Sequence, residues 1–191
     1  MTALLQYISE RTFLSQALRK SLEQNFERIL VKKGEIILRE DTRANYLYFI
    51  QKGLLSNYYF LADGKKVNSW FYNEHQFITA WSSFYQQKPS FEVIEAMEDC
   101  ELYRLSYTNF QKLIADFPAF NNFARLLAEE MLTFIDEFSR GWAFLSAKEK
   151  YQRVRTYFPD IELRIKLGLL SSFLGISQET LSRIRAVRNT T

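Results

Sequence analysis

The sequence has one cysteine, one histidine and no long hydrophobic run. Cys100 alone closes no intrachain disulfide, completes no four-cysteine zinc site and holds no iron–sulfur cluster on one chain. A reducing, cytoplasmic compartment is the expectation. No apolar stretch approaches the roughly 18 residues of a membrane span. The opening MTALLQYISERTFLSQALRK lacks the basic and apolar regions of a signal peptide, so neither secretion nor a membrane partner is expected. His75 lies in the polar run Asn73-Glu74-His75-Gln76, with no nucleophile elbow, P-loop, dinucleotide fingerprint or metal-spaced cluster beside it. The expectation is therefore no catalytic residue, no metal ligand and no enzyme. Haem is disfavoured as well, since His75 and Cys100 are the only familiar axial candidates.

What is present is an ordinary globular composition, 47% hydrophobic and 25% charged over 191 residues. The net charge of +3 is uninformative as a total but not in its distribution. Residues 1–139 hold 15 Lys and Arg against 18 Asp and Glu, whereas residues 140–191 hold 10 against 4. The basic charge is thus concentrated in the last quarter, where it favours a polyanionic partner.

The first 25 residues place Leu4, Leu5, Ile8, Phe13, Leu14, Leu18 and Leu22 at helical spacing, which predicts one or two short amphipathic helices. From Phe26 to Leu105 the texture changes to eight short β-rich runs broken by glycines and polar clusters, the signature of a sandwich, barrel or roll. Asp63-Gly64 is a hairpin turn signal. A long helix is predicted from Pro118 to Arg140. Its Phe120, Ala124, Leu127, Met131, Phe134 and Phe138 recur at alternating four- and three-residue spacing, a seam that needs a facing helix. A second copy of the chain is the favoured partner for this seam, and the chain's own roll is the alternative. Phe123, Leu132 and Ile135 form a second apolar stripe, which allows both contacts at once. Gly141 is a candidate hinge.

Residues Leu167 to Ala186 read LGLLSSFLGISQETLSRIRA and fit a helix-turn-helix position by position. Leu170 and Leu174 point inward on the first helix, and Ser171 is small where two helices approach. Gly175 tolerates a positive φ at the turn, Ile176 plugs it, and Ser177 caps the second helix. Leu181 and Ile184 set that helix's buried direction. At 100° per residue, Glu179, Ser182, Arg183 and Ala186 then face outward. Arg183 suits a bidentate contact to guanine and Glu179 a cytosine amino group. Gln178 can reach a base or a phosphate. Arg185, Arg188 and the Ser177 and Thr180 hydroxyls suit the DNA backbone. Lys148, Lys150, Arg153 and Arg155 upstream are further phosphate candidates.

An N-terminal β-roll, a long helix and a C-terminal helix-turn-helix, in this order and at this size, resemble the CRP/FNR family of bacterial transcription regulators. The resemblance is tightest at LGISQETLSRIR. In the family an Arg-Glu pair, and an Arg four residues after the Glu, read bases; Glu179 and Arg183 match two of the three, and Gln178 replaces the first arginine. The resemblance implies an α+β fold: an antiparallel, jelly-roll-like sensor domain over residues 1–115, a dimerisation helix over 116–140, and a winged-helix-like DNA-binding domain over 141–191 with a reduced wing. It implies double-stranded DNA, a second copy of the chain and RNA polymerase as partners, and a pseudo-palindromic operator.

The sensor half departs from the family's cyclic-nucleotide cassette. Aligned on FITAWSSF and PSFEVIEAMEDCEL, Ala80 stands at the ribose-binding glutamate and Trp81 follows it. Ser90 stands at the phosphate-binding arginine, with Phe91 at the following hydroxyl position and Glu92 next. Losing the clamp and gaining an acid both disfavour an anion, so no cofactor and no cyclic AMP bound in the family's usual way are expected. Trp70, Phe71, Tyr72, Trp81, Phe84, Tyr85 and Phe91 concentrate aromatic surface there, leaving a filled roll or an apolar effector as alternatives. The competing function is a sensor or protein-interaction module that does not bind DNA.

Overall fold

The computed structural model describes residues 1–188, with side chains through Ala186. Two N-terminal helices, α1 (Thr2–Ser9) and α2 (Gln16–Asn25), bury Leu4, Leu5, Ile8, Leu18 and Leu22. Ser15 caps α2 by accepting the Leu18 N–H. Eight strands follow: β1 (Glu27–Val31), β2 (Ile36–Leu38), β3 (Tyr46–Lys52), β4 (Leu55–Phe60), β5 (Lys66–Tyr72), β6 (Phe77–Ile78), β7 (Val93–Ala96) and β8 (Cys100–Ser106). They form two four-stranded sheets in the orders β1-β8-β3-β6 and β2-β7-β4-β5. Their pairings are antiparallel. This is the expected roll, one strand to each of the eight runs. Asp63-Gly64 sits in a five-residue loop between β4 and β5, where Gly64 takes φ +79°. A short helix, α3 (Trp81–Gln86), interrupts the roll after β6.

Helix α4 (Tyr107–Asp116) leads into the long helix α5 (Pro118–Ser139). Phe117 is extended, as a residue before proline must be, and Pro118 occupies the first helical turn where its missing N–H is not needed. Gly141 at φ +74° then turns the chain through a short 3-10 segment, Trp142–Phe144. The rest is helical: α6 (Ala147–Tyr157), the single turn α7 (Ile161–Arg164), α8 (Leu167–Leu174) and α9 (Gln178–Arg188). Ser146 and Glu149 close a reciprocal capping box on α6.

The buried residues form two clusters. One joins α1, α2, the roll interior and the first half of α5 through Phe120, Phe123, Ala124 and Leu127. The other joins Leu54, Trp70 and Phe71 of the roll to Tyr151, Val154, Phe158, Leu170, Leu174 and Leu181 of the C-terminal helices. Phe134 and Phe138 pack on this second cluster. The seam of α5 is therefore occupied mainly within the chain. Phe120, Ala124 and Leu127 lie inside the first core, and Phe134 and Phe138 meet the Trp70 ring at 5.0 and 4.4 Å. Met131 is half-buried beside them. These six were expected to face a second copy. Within the chain five of them have cover: Phe120 meets Phe110 of α4 at 5.7 Å, Ala124 and Leu127 join the first core, and Phe134 and Phe138 pack on Trp70. The apolar residues α5 does present outward are Leu132 and Ile135, 70% and 55% exposed. Among the described residues no helix is long and apolar enough to cross a membrane.

Candidate functional site

The last two helices carry the first candidate surface. Ser171 is buried on α8, and its hydroxyl donates to the Gly168 carbonyl at 3.0 Å, which leaves a flat contact for α9. Gly175 ends α8 in the left-handed region at φ +69°, and the Ile176 N–H reaches back to the Ser171 carbonyl at 3.0 Å. Ser177 then accepts the Thr180 N–H at 3.2 Å and starts α9. Leu181 is fully buried and Ile184 half-buried beneath the helix. This leaves Glu179, Ser182, Arg183 and Ala186 exposed on the opposite side.

The exposed face is chemically mixed. Among the described residues the Arg183 guanidinium has one hydrogen bond, a long one from Nη2 to Thr180 Oγ1 at 3.4 Å, which leaves it available to an outside partner. The Ser177 hydroxyl, the residue's own backbone amide and the Arg183 charge hold the Glu179 carboxyl below the ordinary carboxylate range, keeping it an acceptor at neutral pH. Thr180 is half-buried and its hydroxyl meets that of Ser177 at 3.2 Å. Gln178 lies over Gly168, where an added Cβ would meet Gln178 Nε2 at 3.0 Å; it borders a recess shared with Lys66 and Asn68 of β5. Gln178 thus sits toward the roll, apart from the Glu179–Arg183 face.

Arg185, expected at the DNA backbone, is ion-paired. Its Nε lies 2.8 Å from Glu162 Oε1, and Glu162 also accepts the Tyr151 hydroxyl, so this cation is paired within the chain. The side chain of Arg188 lies outside the described residues. Upstream, Arg153 donates to the carbonyls of Glu137, Phe138 and Arg140 and so caps the C-terminal end of α5. Lys150 stands over the Trp142 ring at 5.5 Å.

Sequence reasoning missed Arg164. Its guanidinium reaches Glu74 at 2.9 and 3.0 Å and Glu98 at 2.6 and 3.2 Å, joining α7 to two loops of the roll. Nothing local marks it, because its partners lie 66 and 90 residues away.

The second candidate surface is a cleft of about 590 Å³ between the roll and α5. Asn57, Trp70, Trp81 and Glu92 line it from the roll, Met131 and Phe134 from α5, and Tyr157 and Phe158 from α6. Glu92 Oε1 accepts Asn57 Nδ2 at 2.7 Å. Burial pushes the Glu92 carboxyl up, with Asn57 the one group opposing the shift. Asn57 Oδ1 and Trp81 Nε1 are buried without a hydrogen-bond partner.

The four cassette positions flank this cleft. Ala80 is buried at the start of α3, and Trp81 follows it half-buried. Ser90 is buried with its hydroxyl accepting the Glu92 N–H at 2.9 Å. Phe91 is 61% exposed with its ring 6.1 Å from that of Tyr59. Arg11, the arginine among the lining residues, is held by Glu130 at 2.9 Å and stacks on Tyr7. These residues do not fit a cyclic phosphate, which would meet the Glu92 carboxylate with no free guanidinium among the described lining residues to offset it.

The cyclic nucleotide-binding domain family matches residues 28–117. No curated protein sequence matches the chain. Among solved structures, the chain is similar to the c-di-GMP responsive global regulator CLP of Xanthomonas campestris, at 16% identity and TM-score 0.69, with 92% of each chain covered. FixK2 of Bradyrhizobium japonicum is similar at 18% identity and TM-score 0.71, covering 86% of this chain and 85% of that one. A protein of Eubacterium rectale described as a transcriptional regulator of the CRP/FNR family is similar at 20% identity and TM-score 0.70, covering 93% of this chain and 84% of that one. At such identities the likeness is one of fold. The chain thus carries a cyclic nucleotide-binding-type roll at residues 28–117 within the fold of the CRP/FNR regulators.

Proposed function

We propose that the chain is a DNA-binding transcription regulator of the CRP/FNR type that acts as a homodimer and is not controlled by cyclic AMP in the family's usual way. The observation that carries this reading is the outward face of α9. Glu179, Ser182 and Arg183 stand exposed on a capped helix that a left-handed glycine turn sets on α8. A donor fork and an ionised acceptor one turn apart match what base edges offer in a major groove. Arg183 and Glu179 read bases, while Thr180 and Ser182 contact the backbone. Arg185 has an internal role on Glu162, and the same separation leaves Gln178 a lesser part.

The second copy docks on the outer stripe of α5, through Leu132 and Ile135. Two recognition helices related by a two-fold axis then call for a pseudo-palindromic site with half-sites about 34 Å apart. Residues 1–115 form the sensor part, 116–140 the dimer helix and 141–191 the DNA-binding part, with Gly141 as the hinge. Selection of genomic fragments by the purified protein tests the reading: recovery of one inverted-repeat motif supports it, and recovery of fragments with no shared motif contradicts it.

A further inference from the structure

The cleft between the roll and α5 has largely aromatic walls and two charged residues on its lining, Glu92 and the Glu130-paired Arg11. Its rings include Trp70, Trp81 and Phe134, and Trp70 meets Phe134 edge to face at 5.0 Å. Against them stands the Glu92 carboxylate, with Oε1 engaged by Asn57. The amide oxygen of Asn57 is buried and closed off from the cleft's free volume, so Glu92 is the acceptor the cleft itself presents. The free volume of about 590 Å³ is in the range of small-molecule sites.

We propose that this cleft binds an organic cation, an aromatic or aryl-alkyl amine of one or two rings, with its charged nitrogen at the Glu92 carboxylate and its ring among Trp70, Trp81 and Phe134. An ammonium supplies N–H donors and a positive charge where the protein offers a carboxylate. A neutral aromatic satisfies the walls alone, and an anion is repelled by Glu92 in a setting where water screens little. Arg11 does not reverse this sign, because Glu130 already neutralises it. Tyr157 and Phe158 of α6 line the same space, so the occupant touches the C-terminal helices as well as the sensor.

The proposal rests on reading the roll as a sensor, and it is measured apart from DNA binding. Isothermal titration of the full chain compares tryptamine, indole and indole-3-acetate, which share a ring and differ in charge. Tryptamine is expected to bind about thirtyfold or more tighter than indole, with indole-3-acetate the weakest. Glu92→Gln is expected to bring tryptamine to the level of indole and to leave indole unchanged. Equal affinity for the amine and the acid overturns the proposal, as does the absence of saturable binding by both tryptamine and phenethylamine. The charge series on the unmodified chain separates these outcomes even if Glu92→Gln fails to fold. A mobility shift on DNA with the same preparation tests the regulator reading separately.

Discussion

The Arg164 guanidinium lies 2.9 Å from Glu74 Oε1, tying the C-terminal helices to the roll across 90 residues of sequence. Glu98 completes the contact at 2.6 Å, and Arg164 is only 12% exposed. Burial pushes the Glu74 carboxyl up, but Arg164 and the Gly53 N–H outweigh it and hold the group below the ordinary carboxylate range. A carboxyl held low contributes stability above its unfolded pKa and loses it as pH falls through the folded value. The C-terminal helices should therefore loosen from the roll in acid, below the usual carboxylate range. Arg164→Ala should remove about 1–3 kcal/mol at neutral pH and flatten the acid limb of a urea titration. An acid limb unchanged in the variant contradicts the assignment.

The two sides of α5 should respond differently to substitution. Phe120 is fully buried, and Phe120→Ala should cost about 3–5 kcal/mol in chemical unfolding. Leu132→Glu and Ile135→Glu change exposed positions and should leave stability within about 0.5 kcal/mol. In sedimentation analysis the glutamate pair should yield monomers. A persistent dimer moves the interface elsewhere.

Cys100 should be chemically silent in the folded protein. It is buried in β8 with its thiol toward the Leu54 and Glu98 carbonyls, and burial raises its pKa to about 11. A thiol reagent should label it only on unfolding. Gly53 packs directly against it at φ +108°, where an added Cβ would stand 2.5 Å from Cys100 Sγ. Gly53→Ala should therefore unfold at lower denaturant and expose the thiol. Rapid labelling of the native chain contradicts the packing described.

Much of this architecture was legible because it rests on local periodicity. The eight strands, the Pro118 helix start, the Gly175 turn and the Ser177 cap each follow from residues adjacent in sequence. What was not legible depends on long-range choice. A heptad-like seam states only that Phe134 and Phe138 need a cover, and Trp70 of β5 supplies one within the chain. The pairing of Arg185 with Glu162, and of Arg164 with Glu74 and Glu98, follows from how α7 docks, which no spacing encodes. The Glu179–Arg183 face was read correctly as outward because helical geometry alone sets it.

The central claim is that Arg183 reads DNA sequence, and fluorescence anisotropy on a selected operator tests it most directly. The measurement compares the unmodified chain with Arg183→Ala, on the operator and on scrambled DNA, over a salt series. The variant is expected to lose about 1–3 kcal/mol of discrimination between the two DNAs while keeping weak, salt-sensitive binding to both. Discrimination unchanged in Arg183→Ala would contradict it.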